Sequence, residues 1–236
     1  MKLLVIAGPP SSGKTSLVKQ IVKKMKHDMK IAFFKIDVVK AFEDVELNKE
    51  FGILARKFIS GDLCPDHASV MVLGDAVEWA ETNGAELFIV ESAGLCLRCS
   101  PYLNQGLGII VLSSIAGIHA PEKMGCMVTL ADIAVVTKID LVSQAEREVL
   151  VQKIKETHPD LILMETNALQ GTSLHRLYEI IRKSSDIDAE TLVLKGNPPL
   201  GTCTICVGKK EIGWKHHFGV IQKLDGQTAE YLYRGE

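Results

Sequence analysis

The chain has 236 residues, 47% of them hydrophobic and 24% charged, with a formal net charge of −2. This length suits one α/β domain with a small extension, and the apolar content supports a packed core, which excludes a globally disordered chain. The near balance of charge argues against binding nucleic acid through bulk positive charge, and no apolar run is long enough to cross a membrane. We therefore expect a cytoplasmic protein whose six cysteines are reduced and available as thiolate ligands.

The first predicted element is a buried strand over residues 3–7, and the sequence Gly-Pro-Pro-Ser-Ser-Gly-Lys-Thr follows it at residues 8–15. A strand, a glycine-rich turn of the pattern GxxxxGK(S/T) and a helix in this order are typical of a phosphate-binding loop. Gly8 and Gly13 let the backbone turn so that amide groups face an anion, and the following helix directs its positive end at the same point. We expect Lys14 to contact the β- and γ-phosphates and the Thr15 hydroxyl to bind magnesium.

The rest of the chain alternates between strands and helices. Strands are predicted over residues 31–36, 86–90, 107–113, 132–137 and 161–165, and helices over residues 14–24, 67–83, 143–157 and 173–183. Residues 38–63 are mixed and poorly periodic, so we expect a mobile segment there. The alternation predicts an α/β fold of the P-loop NTPase type, with a mostly parallel sheet covered by helices on both faces.

The alternation stops near residue 197, where two prolines and a glycine indicate a turn or a linker. We therefore divide the chain into a P-loop domain over residues 1–196 and a short, β-rich extension over residues 197–236. The extension contains Cys203 and Cys206 in a CxxC pattern, with two histidines downstream. These residues could bind zinc or help to hold an iron–sulfur cluster, and a purely structural role for them stays open.

Two acidic residues end predicted strands beside the phosphate-binding loop. Asp37 follows the second strand and Glu91 follows the strand over residues 86–90. Because ligands gather at the carboxyl ends of parallel strands, both carboxylates suit magnesium coordination or the positioning of a water molecule. The alternative is that they are solvated carboxylates with no such role.

The nucleotide base is indicated by the sequence Thr-Lys-Ile-Asp at residues 137–140, which resembles the guanine-recognition motif NKxD with threonine in place of asparagine. The Asp140 carboxylate can accept both N–H donors of the guanine edge, and the Lys138 stem can cover the base. Asn167 and Ala168 follow the next strand and resemble the segment that contacts the guanine oxygen. A simple capped turn with an exposed Asp140 is the competing interpretation.

Cysteine and histidine residues occur in two loops near the predicted nucleotide site. Cys64 and His67 precede or begin the helix over residues 67–83, and Cys96 and Cys99 form a CxxC pattern after Glu91. Thiolate and imidazole ligands suit zinc, nickel or copper far better than magnesium. The alternative is that these cysteines are structural.

Together, these motifs resemble the nickel-insertion GTPases of urease and hydrogenase maturation, a class that also includes cobalamin-related metal chaperones. The resemblance covers about residues 1–183. It implies GTP hydrolysis with Mg²⁺, coupled to homodimerisation and to delivery of Ni²⁺ or Zn²⁺ to a recipient metalloenzyme or another maturation protein. In the urease type a Cys-Pro-His triplet binds the metal, and here Asp66 stands between Pro65 and His67. In the hydrogenase type a metal-binding cysteine follows the magnesium-site strand, which corresponds here to Cys96 or Cys99.

The leading hypothesis is therefore a GTP-hydrolysing metallochaperone in which Lys14, Asp37 and Glu91 act on the phosphates. The residues expected to bind nucleotide are Gly8, Ser11, Ser12, Gly13, Lys14, Thr15, Ser16, Lys138, Asp140, Asn167 and Ala168. The residues expected to bind metal are Thr15, Asp37, Glu91, Cys64, His67, Cys96, Cys99, Cys203 and Cys206. Two alternatives stay open: a small-molecule kinase that shares the phosphate-binding loop, and an iron–sulfur or redox protein gated by nucleotide.

Overall fold

A seven-stranded sheet with every pair of neighbouring strands parallel forms the centre of the molecule. The computed structural model describes residues 1–93, 99–197, 208–213, 216, 219–222 and 228–231. The sheet strands are β1 Lys2–Ala7, β2 Ile31–Asp37, β3 Leu54–Ile59, β4 Leu87–Glu91, β5 Leu107–Ser113, β6 Ile133–Thr137 and β7 Ile162–Glu165. The helices are α1 Lys14–Met25, α2 Glu43–Phe51, α3 Pro65–Thr82, α4 Ala120–Met124, α5 Cys126–Thr129, α6 Gln144–Thr157 and α7 His175–Lys183. The predicted P-loop NTPase fold with a parallel sheet is therefore confirmed.

The strand order is β3-β2-β4-β1-β5-β6-β7. β1 lies in the centre of the sheet, so the loop that follows it has β4 on one side and β5 on the other. β2 lies beyond β4, and its end is therefore on the same side of the loop as the end of β4. This order brings the end of β1, the end of β4 and the end of β2 to one edge of the sheet, where parallel α/β proteins bind their ligands.

Helices cover both faces of the sheet because the buried strands are apolar on both sides. On one face, α1 and α7 pack against the strands through residues such as Leu17, Ile21 and Leu177. On the other face, α3 and α6 pack through residues such as Met71 and Ile154. The phosphate-binding loop leads into α1, so it belongs to the first face, whereas α3 belongs to the second.

The segment over residues 38–63 corrects the prediction of a mobile stretch, since it forms α2 and β3. The periodicity is weak because α2 buries only Leu47. β3 is an edge strand in which Arg56 and Lys57 are exposed, so it lacks the apolar run of the central strands. Charged edge strands are common because they discourage pairing with other chains.

Nearer the end of the chain, β8 Gly219–Gln222 and β9 Thr228–Tyr231 pair as antiparallel strands. Earlier in the chain, the backbone near residues 193–195 lies against the body of the fold, where the Lys195 amide donates to the Tyr102 carbonyl at 2.9 Å. Within the described ranges, no helix combines the length and the apolar character needed to cross a bilayer.

Candidate functional site

The phosphate-binding loop has the backbone geometry that its glycines predict. Gly13 adopts φ 96° immediately before α1, and Ser11 also has a positive φ of 59°. A Cβ on Gly8 would clash with the carbonyl oxygen of Val111 on β5, so only glycine fits at this position. The loop is thereby held against the sheet, and the positive φ values at Ser11 and Gly13 let its backbone curve into a concavity that suits an anion.

Lys14 extends into this loop. Its Nζ donates to the carbonyl oxygens of Gly8 at 2.8 Å and Pro9 at 2.9 Å. Burial lowers the pKa of Lys14 to about 8, and the nearby Glu91 carboxylate partly opposes that effect. The ammonium is therefore held by two neutral carbonyl groups, which a phosphate can replace with a stronger charge-assisted hydrogen bond.

The Thr15 hydroxyl and the Glu91 carboxylate are in direct contact. The Oγ1 atom of Thr15 donates to Glu91 at 3.0 Å for Oε1 and 3.2 Å for Oε2. Glu91 ends β4, next to β1, which explains why two residues 76 positions apart meet. The Glu91 side chain is only 1% exposed, so its charge is shielded little by water.

Lys35 is a residue of this site that the sequence interpretation missed. It stands opposite Glu91 in the register between β2 and β4, and its Nζ lies 2.6 Å from Glu91 Oε1. The same Nζ lies 3.5 Å from Asp37 Oδ2 and 3.4 Å from Glu43 Oε1. A lysine inside an otherwise apolar strand was the available signal, but its partner could be found only from the strand register.

These side chains surround an open cavity of about 450 Å³. The described residues that line it are Pro10, Ser11, Gly13, Lys14, Thr15, Ser16, Lys35, Asp37, Glu43, Glu91, Ala93 and Lys138. Three of these residues are lysines and three are carboxylates, so their formal charges balance. The volume suits a small-molecule ligand, and the polar lining suits the phosphate end of a nucleotide.

Thr137, at the end of β6, is fully buried and binds the phosphate-binding loop directly. Its Oγ1 donates to the Ser12 carbonyl oxygen at 2.5 Å. Lys138 follows with φ 57°, lines the cavity, and accepts a hydrogen bond from Ser114 through its carbonyl oxygen at 2.7 Å. Threonine in place of the motif's asparagine therefore still connects the two loops.

Asp140, Asn167 and Ala168 lie on the loops after β6 and β7 and do not line the 450 Å³ cavity. Asp140 is exposed, whereas Asn167 and Ala168 are buried. The Asn167 Oδ1 accepts hydrogen bonds from the backbone amides of residues 169 and 170, which closes this loop. Gln20 on α1 donates to the Leu169 carbonyl oxygen at 2.8 Å and connects the loop to the helix of the phosphate site.

Cys64 immediately precedes α3, and His67 lies in its first turn with no exposed surface. The loop before Cys64 is joined to the end of β2, because the amides of Ser60 and Gly61 donate to the carbonyls of Asp37 and Val38 at 2.8 and 3.0 Å. Cys64 therefore lies at the same edge of the sheet as the phosphate site, although α3 packs on the opposite face from α1.

The second cysteine loop is described only from Cys99 onward. Cys126, to which the sequence interpretation gave no role, donates from its Sγ to the Cys99 carbonyl oxygen at 3.0 Å. Cys96, Cys203 and Cys206 lie outside the described residues. In the described part of the chain, no three histidine, cysteine or acidic side chains are grouped closely enough to hold a metal ion by themselves.

The donor set beside Lys14 fits Mg²⁺. Thr15 offers a hydroxyl, and Asp37 and Glu91 offer carboxylates, which are the hard oxygen ligands that Mg²⁺ prefers. Thr15 and Glu91 already lie within hydrogen-bonding distance of each other, and all three residues line the cavity. No soft ligand lies among the described residues that line it.

Sequence comparison relates the chain to other proteins over most of its length. An uncharacterized protein of Methanocaldococcus jannaschii is 38% identical over the whole of both chains. A probable hydrogenase maturation factor HypB of the same organism is 26% identical over 75% of this chain and 80% of its own length. Urease accessory protein UreG 1 of Saccharopolyspora erythraea is 31% identical over 63% of each chain.

Two solved structures share the fold. HypB from Archaeoglobus fulgidus superposes with a TM-score of 0.62 and 22% identity, over 77% of this chain and 89% of its own. HypB from Helicobacter pylori, crystallised in complex with nickel, has the same TM-score with 18% identity, over 80% and 91% of the two chains. The nucleotide-binding domain of the CobW/HypB/UreG family matches residues 2–165. This chain belongs to the CobW/HypB/UreG family of P-loop metallochaperone GTPases.

Proposed function

We propose that the protein binds and hydrolyses GTP with Mg²⁺ and uses the nucleotide state to control the binding and delivery of a transition metal, with nickel as the first candidate. The observation that carries the nucleotide part is the contact of Thr15 with Glu91 beside the Lys14 ammonium in one cavity. The division into a GTPase domain over residues 1–196 and an extension over residues 197–236 is part of the same proposal.

In this mechanism the loop amides and Lys14 bind the β- and γ-phosphates. To reach the phosphates, Lys14 would exchange its hydrogen bonds to the carbonyls of Gly8 and Pro9 for hydrogen bonds to phosphate oxygens. Thr15, Asp37 and Glu91 would hold a magnesium ion, which would supply positive charge to neutralise the phosphates. One of the two carboxylates orients the attacking water, since phosphoryl transfer needs positioning and charge stabilisation rather than a covalent intermediate.

Guanine recognition is assigned to Asp140 and Lys138, together with the loop that contains Asn167 and Ala168. Asp140 is exposed and able to accept hydrogen bonds from the guanine edge. Lys138, two positions before Asp140 in the chain, lines the cavity. The backbone of the loop at residues 167–170 is held in a closed turn, which suits recognition of a carbonyl oxygen by a backbone amide.

The cargo metal is assigned to the cysteine loops. Cys64 and His67 are three positions apart at the start of α3, a spacing that puts two soft ligands on one side of a helical turn. Cys99 comes from the loop after β4 and, with Cys96, Cys203 and Cys206, completes the proposed set. The HypB structure from Helicobacter pylori, which contains nickel, supports nickel as the cargo. The relatives named for hydrogenase maturation and as a urease accessory protein support a recipient metalloenzyme or another maturation protein as the partner.

Coupling between the two sites is supported by the backbone hydrogen bonds that join Asp37 and Val38 to the loop before Cys64. A change at the phosphate end of β2 is thereby transmitted to the first cysteine loop. We further propose that GTP brings two copies together and that hydrolysis separates them, as in other nucleotide switches.

The test measures Ni²⁺ binding and molecular mass in the presence of a non-hydrolysable GTP analogue and of GDP. A doubled molecular mass is expected only with the GTP analogue. The affinity for Ni²⁺ is expected to differ between the GTP-analogue and GDP states. Cys64→Ser should weaken Ni²⁺ binding at least about tenfold, while His119→Ala, which changes an exposed histidine paired with Glu122, should leave it unchanged. Equal metal affinity and equal mass in both states would refute the coupling.

GTP hydrolysis is tested separately, by measuring the release of phosphate from GTP. Glu91→Gln should lower this rate about a hundredfold or more, whereas Glu190→Gln should not change it, because Glu190 does not line the cavity. Transfer of phosphate to an organic acceptor rather than to water would instead support the small-molecule kinase. A brown protein after anaerobic purification would support the iron–sulfur alternative.

A further inference from the structure

Lys35 is a buried cation that the phosphate-binding loop pattern does not require. Its side chain is 5% exposed, and three carboxylates surround its Nζ, those of Glu91 at 2.6 Å, Glu43 at 3.4 Å and Asp37 at 3.5 Å. The Lys35 ammonium is therefore held by ion pairs with all three carboxylates.

Two of those carboxylates are the ones proposed for magnesium. The Oε1 atom of Glu91 accepts a hydrogen bond from the Thr15 hydroxyl. The same oxygen accepts a hydrogen bond from the Lys35 ammonium, with which it forms an ion pair. Lys35 thus binds the carboxylates from the side of β2, while Thr15 binds from the start of α1. A divalent cation entering the site has to share Glu91 with an ammonium that is part of the protein.

Lys35 sets the net charge of the cavity wall. With Lys35 present, the lysines and carboxylates among the described lining residues balance. Without Lys35, the same wall carries a net negative charge directly beside the position of a triphosphate. A divalent cation would then be needed to overcome the repulsion before the nucleotide could bind.

We propose that Lys35 is a built-in counter-ion of the nucleotide site, which lets GTP bind with little help from Mg²⁺ and keeps Mg²⁺ from binding tightly before the nucleotide. This inference rests on the proposed GTP site. It makes Lys35 a positioning residue that acts through Glu91, Asp37 and Glu43. Magnesium is then required chiefly for hydrolysis, so that binding and hydrolysis differ in their dependence on the metal.

A purely structural role makes a different prediction. If the Lys35–Glu91 pair only joined β2 to β4, its removal would lower stability without changing the coupling between metal and nucleotide. The coupling is reciprocal, because Mg²⁺ changes the affinity for the nucleotide by the same factor as the nucleotide changes the affinity for Mg²⁺. It can therefore be measured through the binding of either ligand. The measurement therefore separates the two roles even where the variant is less stable.

The experiment measures the affinity for a non-hydrolysable GTP analogue by calorimetry, once with Mg²⁺ and once with EDTA. The wild-type protein should lose less than about tenfold in affinity with EDTA, and Lys35→Met should lose about a hundredfold more than that, the factor expected of one charge about 6 Å from the phosphate at an effective dielectric constant near 20. Lys35→Arg should behave as the wild type does because it keeps the charge.

Lys57→Met is the matched control. Lys57 is opposite Lys35 in the register between β2 and β3, and its Nζ is paired with Asp44 at 3.3 Å. It does not line the cavity. Its replacement should leave the ratio of affinities with and without Mg²⁺ unchanged.

A second measurement needs no nucleotide. Electron paramagnetic resonance of Mn²⁺, used as a probe for Mg²⁺, should show at least about tenfold tighter binding to Lys35→Met than to the wild type, since the carboxylates then lack their internal cation. Equal Mn²⁺ affinity in the two proteins would overturn the proposal.

These measurements separate a failure of the proposed Lys35 role from a failure of the proposed GTP site. If the wild type binds the GTP analogue with Mg²⁺ but loses more than about a hundredfold with EDTA, or if Lys35→Met shows the wild-type ratio, the role of Lys35 is refuted and the GTP site stands. If the wild type binds no GTP analogue even with Mg²⁺, both fail. Should Lys35→Met not fold, the wild type alone still tests the proposal, because a loss of more than about a hundredfold in affinity with EDTA refutes it.

Discussion

Replacement of Thr137 by valine removes the hydroxyl that connects β6 to the phosphate-binding loop while it keeps the side-chain shape. The lost interaction is the hydrogen bond from Oγ1 to the Ser12 carbonyl oxygen at 2.5 Å, at a residue with no exposed surface. Loss of one partner of a buried hydrogen bond costs about 1–3 kcal/mol. For a chain of this size, about 2 kcal/mol corresponds to a fall of roughly 4–8 °C in Tm.

The assay is thermal unfolding followed by circular dichroism, in the absence of nucleotide so that ligand binding does not mask the change. Thr157→Val is the control, because the Thr157 hydroxyl donates to the Lys153 carbonyl near the end of α6, away from the site. That change should alter the free energy of unfolding by less than about 0.5 kcal/mol.

The affinity of Thr137→Val for GTP should also fall, because the loop loses a fixed attachment to β6. Thr137→Asn, which restores the asparagine of the guanine motif, should recover part of the GTP affinity if the amide reaches the same carbonyl oxygen. An unchanged Tm together with unchanged GTP affinity in Thr137→Val would refute the idea that this hydroxyl holds the loop.

Three further changes test other parts of the structure. Gly8→Ala should abolish GTP binding in a calorimetric titration, because its Cβ would clash with the Val111 carbonyl oxygen; retained affinity would show that the loop can shift away from β5. Asp140→Asn should exchange a preference for GTP for one for xanthosine triphosphate in competition binding, since an amide offers a donor where the carboxylate only accepts; an unchanged preference would remove Asp140 from base recognition. Ser143→Ala breaks the capping box with Glu146 at the start of α6 and should cost about 1 kcal/mol in chemical denaturation, with nucleotide affinity unchanged.

The central strands and most helices were predictable because their patterns are local. β1 is an apolar run that leads directly into the glycine loop, and the capping box at Ser143 marks the start of α6 in the sequence itself. α2 and β3 were missed for a physical reason: the helix buries one residue, and the edge strand alternates weakly. Their stability comes from contacts with the neighbouring strand β2 and with α1 rather than from their own pattern.

Part of the candidate site could likewise be predicted from the sequence, and part of it could not. Lys14, Thr15 and the glycines belong to one motif with fixed spacing, so their grouping could be predicted. The contact of Lys35 with Glu91 joins residues 56 positions apart and depends on the register of β2 against β4. Glu43 reaches the same place from α2, an element that the sequence did not predict. Such partners become visible only when the order of the strands is known.

The two hydrogen bonds that join the end of β2 to the loop before Cys64 have a mechanical consequence. The segment over residues 60–64 is attached to Asp37 and Val38 through backbone groups, so it follows any small displacement of them. A signal from the phosphate end to Cys64, the first of the proposed sulfur ligands, then crosses only a few peptide units at the rim of the sheet. The apolar interior on either face does not have to repack, so hydrogen exchange in the central strands should be the same in the GTP-bound and GDP-bound states, with differences confined to this rim.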